Sequence, residues 1–190
     1  MGRTTTAKKT SDPTEEVLTT PEQEVETVAE IEPQLNLEQQ VTVRSIAGWT
    51  TGFARMLTVG DVSIPKKGSV RLSRNEIISQ IHNNNSLFTG IDGRGSHATL
   101  IIDDKPTIKE VDFEGAVQFS DDIVKKLFSI QNQNTFEEEL RHTIVTRAEK
   151  YALMISIFKQ NLNDFSKIRF CETYTGYKMD NVEQDEKNIR

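Results

Sequence analysis

The side chains able to do chemistry are few and scattered. His82, His97 and His142 are the three histidines, and Cys171 is the one cysteine. No histidine has another ligand at helical or loop spacing, and Cys171 lacks a second thiol, so the residues predict no metal site and no cofactor. A Cys–His nucleophile pair needs a thiol whose pKa is lowered by a helix start or a cation. Cys171 lies between Phe170 and Glu172 without such a start and reads as a buried, inert thiol. His142 reads as a surface residue near Glu138 on a helix. Asp103-Asp104 and Asp121-Asp122 are adjacent pairs, a turn or cap signal rather than the separated carboxylates of acid/base catalysis. No catalytic residue is assigned, and the expectation is a protein that is not an enzyme.

The segment Gly90-Ile91-Asp92-Gly93-Arg94-Gly95-Ser96-His97 is glycine-rich and carries a cation, as a phosphate loop does. A phosphate cradle must lead into a helix N-terminus, where free N–H groups meet the anion. Here the run leads into Ala98-Thr99-Leu100-Ile101-Ile102, a buried strand, and Asp92-Gly93 reads as a hairpin turn. Lys66, Lys67, Arg71 and Arg74 form the local basic cluster. It lacks interleaved aromatics for base stacking, so nucleic-acid binding stands only as an alternative. Trp49, Tyr174 and Tyr177 fit a protein interface or the edge of a core.

Charge divides the chain near residue 40. Before it, Arg3, Lys8 and Lys9 face nine acids, from Asp12 to Glu38, which leaves the whole net charge of -6 in this segment. The remainder balances its acids against its bases. Such a body offers no broad field for DNA, RNA or anionic lipid. Residues 1–40 read as an acidic, largely disordered arm, since a composition of Thr, Glu and Lys cannot offset its ordering entropy. Within it, Thr20, Pro21 and Gln23 can start a short helix over 21–32 with Val25, Val28 and Ala29 on one face. A helix of about 12 residues is marginal alone, so those three side chains become candidate partner contacts, together with Lys66, Lys67 and Trp49. With no secretory leader, no membrane-length apolar run and a lone cysteine, a soluble chain made in the cytoplasm is expected.

The elements that would position these residues fall into two halves of one body. In 41–115, Val41-Thr-Val43 alternates as a strand. Val62 and Ile64 pair with Val70 and Leu72 as a hairpin, with Pro65-Lys66-Lys67-Gly68 as its turn. Ser73-Arg74-Asn75-Glu76 is a capping box for a short helix that closes at Asn83-Asn84-Asn85. Thr107 to Phe113 reads as a further strand. In 116–178, Ser120 caps a helix bearing Ile123, Val124, Leu127 and Phe128. Thr135-Phe136-Glu137-Glu138 starts the longest helix, 136–162, whose stripe runs Leu140, Ile144, Ala148, Tyr151, Ile155, Phe158 and Leu162. The stripe suits a core, or an oligomer seam. Ile168 to Cys171 reads as a strand or an extended packing segment, and 179–190 as a loose charged tail. The expected class is α+β, a compact β-rich half against a C-terminal helical half.

Two stretches, 63–103 and NDFSKIRFCETYTGYK at 163–178, resemble small virion-associated structural proteins of tailed bacteriophages. The resemblance carries no catalytic motif. It implies a structural role in a particle, capsid-associated or at the head–tail junction, with the virion as location and other structural proteins or further copies as partners. A small regulatory or nucleic-acid-associated protein using the 66–74 cluster is the alternative. A hydrolase using Cys171, His97 or the aspartates is a third reading.

Overall fold

The computed structural model describes residues 35–188. Of the expected arm, residues 1–40, the part up to residue 34, with its 21–32 helix and Val25, Val28 and Ala29, lies outside the described residues. Its last residues belong to the body instead, with Arg74 Nη1 donating to Asn36 O, Arg74 N to Gln39 O and Gln40 opening the first strand.

Among the described residues, five short strands form two antiparallel sheets. β1 (Gln40–Ser45) lies between β4 (Ser69–Ser73) and β5 (Leu100–Ile102), while β2 (Thr51–Ala54) pairs with β3 (Asp61–Ile64). Val41 faces Leu72 across the ladder, and Val43 faces Val70 on one side and Ile102 on the other. Alternation holds in β1, where Val41, Val43 and Ser45 are buried. The expected β3–β4 hairpin is corrected. Its turn exists, with Gly68 N donating to Pro65 O at 2.8 Å, but β3 turns to β2 and β4 to β1. Alternation reveals a strand and says nothing of its partner. Here Ser45 N donates to Gly68 O and Lys67 N to Ala47 O, so the end of β1 takes the place a hairpin mate would fill. The left-handed residue of the turn is Lys67 (φ 53). Gly68 is required for space, since a Cβ there would lie 2.6 Å from Pro65 Cγ.

α1 (Arg74–His82) starts where Ser73 Oγ accepts from Glu76 N at 3.3 Å, and closes at Asn83 with Asn84 at φ 55. Only half of the capping box forms, because the Glu76 carboxylate is used elsewhere. α2 (Ser86–Thr89) precedes the glycine-rich loop, so Asp92-Gly93 joins a helical turn to β5 and is not a hairpin. Asp92 Oδ1 accepts from Arg94 N and Ser96 N. The expected strand at 107–113 is instead α3 (Lys105–Glu110) with an irregular exit. Asp104 accepts from Thr107 N and Pro106 sits in the first turn, a helix start that overrides a two-residue alternation.

The helical half opens as expected with α4 (Asp121–Ser129), capped by Ser120. The expected 136–162 helix is two helices, α5 (Gln133–Thr143), capped by Asn132 rather than Thr135, and α6 (Arg147–Lys159). The chain breaks at Ile144–Thr146 because Thr146 and Glu149 form a complete capping box inside the apolar stripe. The expected strand at 168–171 belongs to α7 (Phe165–Thr175), started by Asp164 and ended by Gly176 in the left-handed conformation. The expected loose tail contains α8 (Met179–Asn188), anchored by buried Val182.

Two apolar cores result, one around Val43, Ile64, Ile77 and Phe88, the other around Phe136, Leu140, Met154 and Ile157. Ile46, Ala47, Ile101, Ala148 and Ala152 join them. The body is α+β, and residues 151–157 of α6 are buried on every face. The stripe read from sequence is therefore core.

Candidate functional site

Most of the residues able to do chemistry are spent on architecture. Cys171 is fully buried in α7, and burial pushes its thiol up to about 12. His82 and His142 are exposed. His97 Nδ1 lies 2.8 Å from Glu149 Oε1, and the other carboxylate oxygen caps α6 through Val145 N and Thr146 N. Asp103 takes two hydrogen bonds from Arg44, at 2.6 and 3.1 Å. Asp104 pairs with Arg74, and Asp121 accepts from Ser156 Oγ at 2.6 Å. Among the described residues no group of three His, Cys, Asp or Glu is placed to hold a metal.

The basic cluster read from sequence is dispersed. Arg74 is buried and donates to Asn36 O, Gln39 Oε1, Thr107 Oγ1 and Asp104 Oδ2. Arg71 stays exposed on β4. Lys66 lies over the Tyr151 ring at 5.3 Å, and Tyr151 packs edge-on against Tyr177. Lys67 joins Arg44, Lys159, Phe119 and Ile155 in lining a cleft of about 270 Å³ where the two halves meet. Trp49 is half-buried beneath the Arg147 guanidinium at 4.7 Å.

Among the described residues, two surfaces are set apart by what holds their side chains in place. The first is the loop between β2 and β3. Met56, Leu57 and Val59 stand there at 45%, 48% and 103% relative exposure. The loop is closed by Arg55 N donating to Gly60 O at 2.9 Å. Glu76, itself buried, accepts from Met56 N at 2.8 Å and Leu57 N at 3.1 Å. Burial alone would raise the Glu76 carboxyl. The hydrogen bonds from Gln80, Met56 and Leu57 outweigh it and hold the group below its ordinary value. An ionised buried carboxylate thus fixes a loop whose apolar side chains face water. An apolar run ending in Gly60, between two strands, was the available signal for it.

The second surface is a band of cations and aromatic rings. Arg147 covers Trp49, Lys150 lies 4.2 Å from the Tyr174 ring centroid, and Arg141 lies over both Phe170 and Tyr174 at 4.9 and 5.5 Å. Phe170 and Tyr174 are stacked with an interplanar angle of 1°. Tyr174 OH donates to Ile144 O at 2.6 Å, which pins α7 to the break between α5 and α6. Arg141, before the break, and Lys150, after it, both lie over the Tyr174 ring. The rings come from elements distant in the chain, so the sequence carries no local signal for these pairings.

Of the partner contacts expected from sequence, the structure brings Trp49 to the cation band and Lys66 and Lys67 to the junction of the halves. Compared with protein-family models, curated proteins and solved structures, the chain matches none. Its class is defined by its own architecture, an α+β body of two apposed cores.

Proposed function

We propose that this protein is a non-enzymatic structural or assembly component that binds other proteins of a large complex, a tailed-phage particle in which it is capsid-associated or sits at the head–tail junction. The observation that supports a binding role is the β2–β3 loop. Leaving Met56, Leu57 and Val59 in water is unfavourable by about 25 cal/mol per Å² of apolar surface, and the protein holds them there with a buried carboxylate. A loop fixed before binding loses little conformational entropy when a partner covers it. The particle assignment rests on the resemblance carried by 63–103 and 163–178. The acidic segment ahead of a charge-balanced body also suits a component held among neighbours.

The test is incorporation. Purified particles of the phage encoding the chain are expected to contain it at stoichiometric copy number by mass spectrometry. Met56→Asp combined with Val59→Asp should leave the circular dichroism unchanged and reduce incorporation at least tenfold. Absence from particles overturns the particle assignment, and undiminished incorporation of the variant overturns the role of the loop.

A further inference from the structure

The geometry points to a second binding surface, the cation–aromatic band of Trp49, Arg141, Arg147, Lys150, Phe170 and Tyr174, which takes single-stranded nucleic acid. Cation–π contacts of energetic weight occur roughly once per 70–80 residues. Here Arg141, Arg147 and Lys150 make four of them, with Trp49, Phe170 and Tyr174. Arg147 and Lys150 share a face of α6 at i and i+3, and Lys150 and Arg141 both meet Tyr174.

These cations differ from the ion-paired ones of the fold. Arg44, Arg74, Lys167 and Lys178 each have a carboxylate partner. Among the described residues, Arg141, Arg147 and Lys150 form no ion pair and rest on rings instead. The carboxylates of the same elements are committed elsewhere or exposed. Glu149 caps α6, Glu172 accepts from Met179 N and pairs with Lys178, Glu137 accepts from Gln133 Nε2, and Glu138 and Glu139 are exposed on α5.

A guanidinium over an aromatic ring can offer its outer face to a base and its N–H edge to a phosphate. A carboxylate-rich peptide would use the charges alone, whereas unstacked bases use the charges and the planar faces together. Duplex DNA hides its base faces, which selects the single strand. This surface is separate from the β2–β3 loop, and its test stands apart from particle incorporation.

The experiment is fluorescence anisotropy of labelled oligo-dT, 20 nucleotides long, titrated with the full chain. Three phosphate contacts on a single strand predict that affinity falls about 20-fold between 50 and 200 mM salt. Arg141→Gln, Arg147→Gln and Lys150→Gln together should weaken binding at least tenfold. Lys125→Gln with Lys126→Gln, on α4, should leave it unchanged and shows that total charge is not the cause. Quenching of Trp49 emission by oligo-dT places the strand on the band without any substitution. No binding at micromolar protein, an undiminished triple variant, or equal affinity for poly-glutamate overturns the proposal, the last by making the face a site for acidic protein.

Discussion

His97 Nδ1 and Glu149 Oε1, 52 residues apart in sequence, meet at 2.8 Å and tie the glycine-rich loop to the first turn of α6. The remaining oxygen, Oε2, accepts from Val145 N, Thr146 N and Thr146 Oγ1 at 2.9, 2.9 and 3.1 Å. The pair is a brace at the helix break. Glu149→Ala would leave the part-buried N–H groups of Val145 and Thr146 without their acceptor, each costing up to about 1–3 kcal/mol. The expected loss in urea unfolding is about 3 kcal/mol, against about 1 kcal/mol for Thr146→Ala, which removes only the N-cap. A Glu149→Ala protein as stable as wild type would show that the break does not depend on this carboxylate.

Arg74 and Asp104 form the most buried ion pair, at 2.9 Å, and bind the start of α1 to the start of α3. Removing one partner of a buried pair costs about 3–5 kcal/mol, because the other charge is left unpaired. Arg74→Met alone should fall in that range in urea unfolding, and Arg74→Met with Asp104→Asn should recover part of it. Burial raises the Asp104 carboxyl, but hydrogen bonds from Thr107 and Arg74 prevail and lower it below its ordinary value of 3.8. A carboxyl lowered in the folded state stabilises fully above its unfolded pKa and loses that contribution as pH falls through the folded value. Stability should therefore drop on acidification below about pH 4, and less steeply in Asp104→Asn. Equal acid slopes for the two proteins would refute the linkage.

How far the sequence announces this structure depends on the range over which each signal acts. Local chemistry is legible. Ser73, Ser120 and the Asn83–Asn84 closure act within one turn, and the structure keeps all three. Partner choice is not legible. β3 and β4 flank a sound turn, yet each pairs elsewhere, because the end of β1 competes for the same hydrogen bonds. Some misreadings weigh periodicity against a cap already present in the chain. Asp104 with Pro106 makes 107–113 start as a helix, and Thr146 with Glu149 divides the long stripe. Asp164 and Gly176 bracket a helix where Ile168 to Cys171 suggests a strand. The apolar loop was visible as Met56, Leu57 and Val59, but only Glu76, about 20 residues on, shows that it is held in place.

Glu76→Gln tests that hold. A glutamine keeps one acceptor and adds a donor, so either Met56 N or Leu57 N loses its partner. The expected cost is about 1–2 kcal/mol in urea unfolding. Hydrogen exchange at Met56 and Leu57 should rise at least tenfold while exchange in β1 stays unchanged. The Glu76 carboxyl is held below its ordinary value of 4.5, so the loop should keep its protection above that pH and lose it as pH falls further. Protection of the two amides that is unaltered in Glu76→Gln would rule out the carboxylate as the clamp.

Cys171 sits in the centre of the helical core, and burial raises its thiol from 9.0 to about 12. At pH 8 roughly one molecule in ten thousand would carry the reactive thiolate. The native protein should therefore resist an aromatic disulfide reagent for hours and react at once in urea. Because the folded value lies above the unfolded one, the contribution of this group is complete below pH 9.0 and declines as pH rises toward about 12. Cys171→Ser would bury a hydroxyl among apolar neighbours at a cost of about 1–3 kcal/mol, whereas Cys171→Ala leaves a small cavity and costs less. Native labelling at the rate of a free thiol would mean that α7 opens on the timescale of the assay, and the helical core would then be far looser than its packing implies.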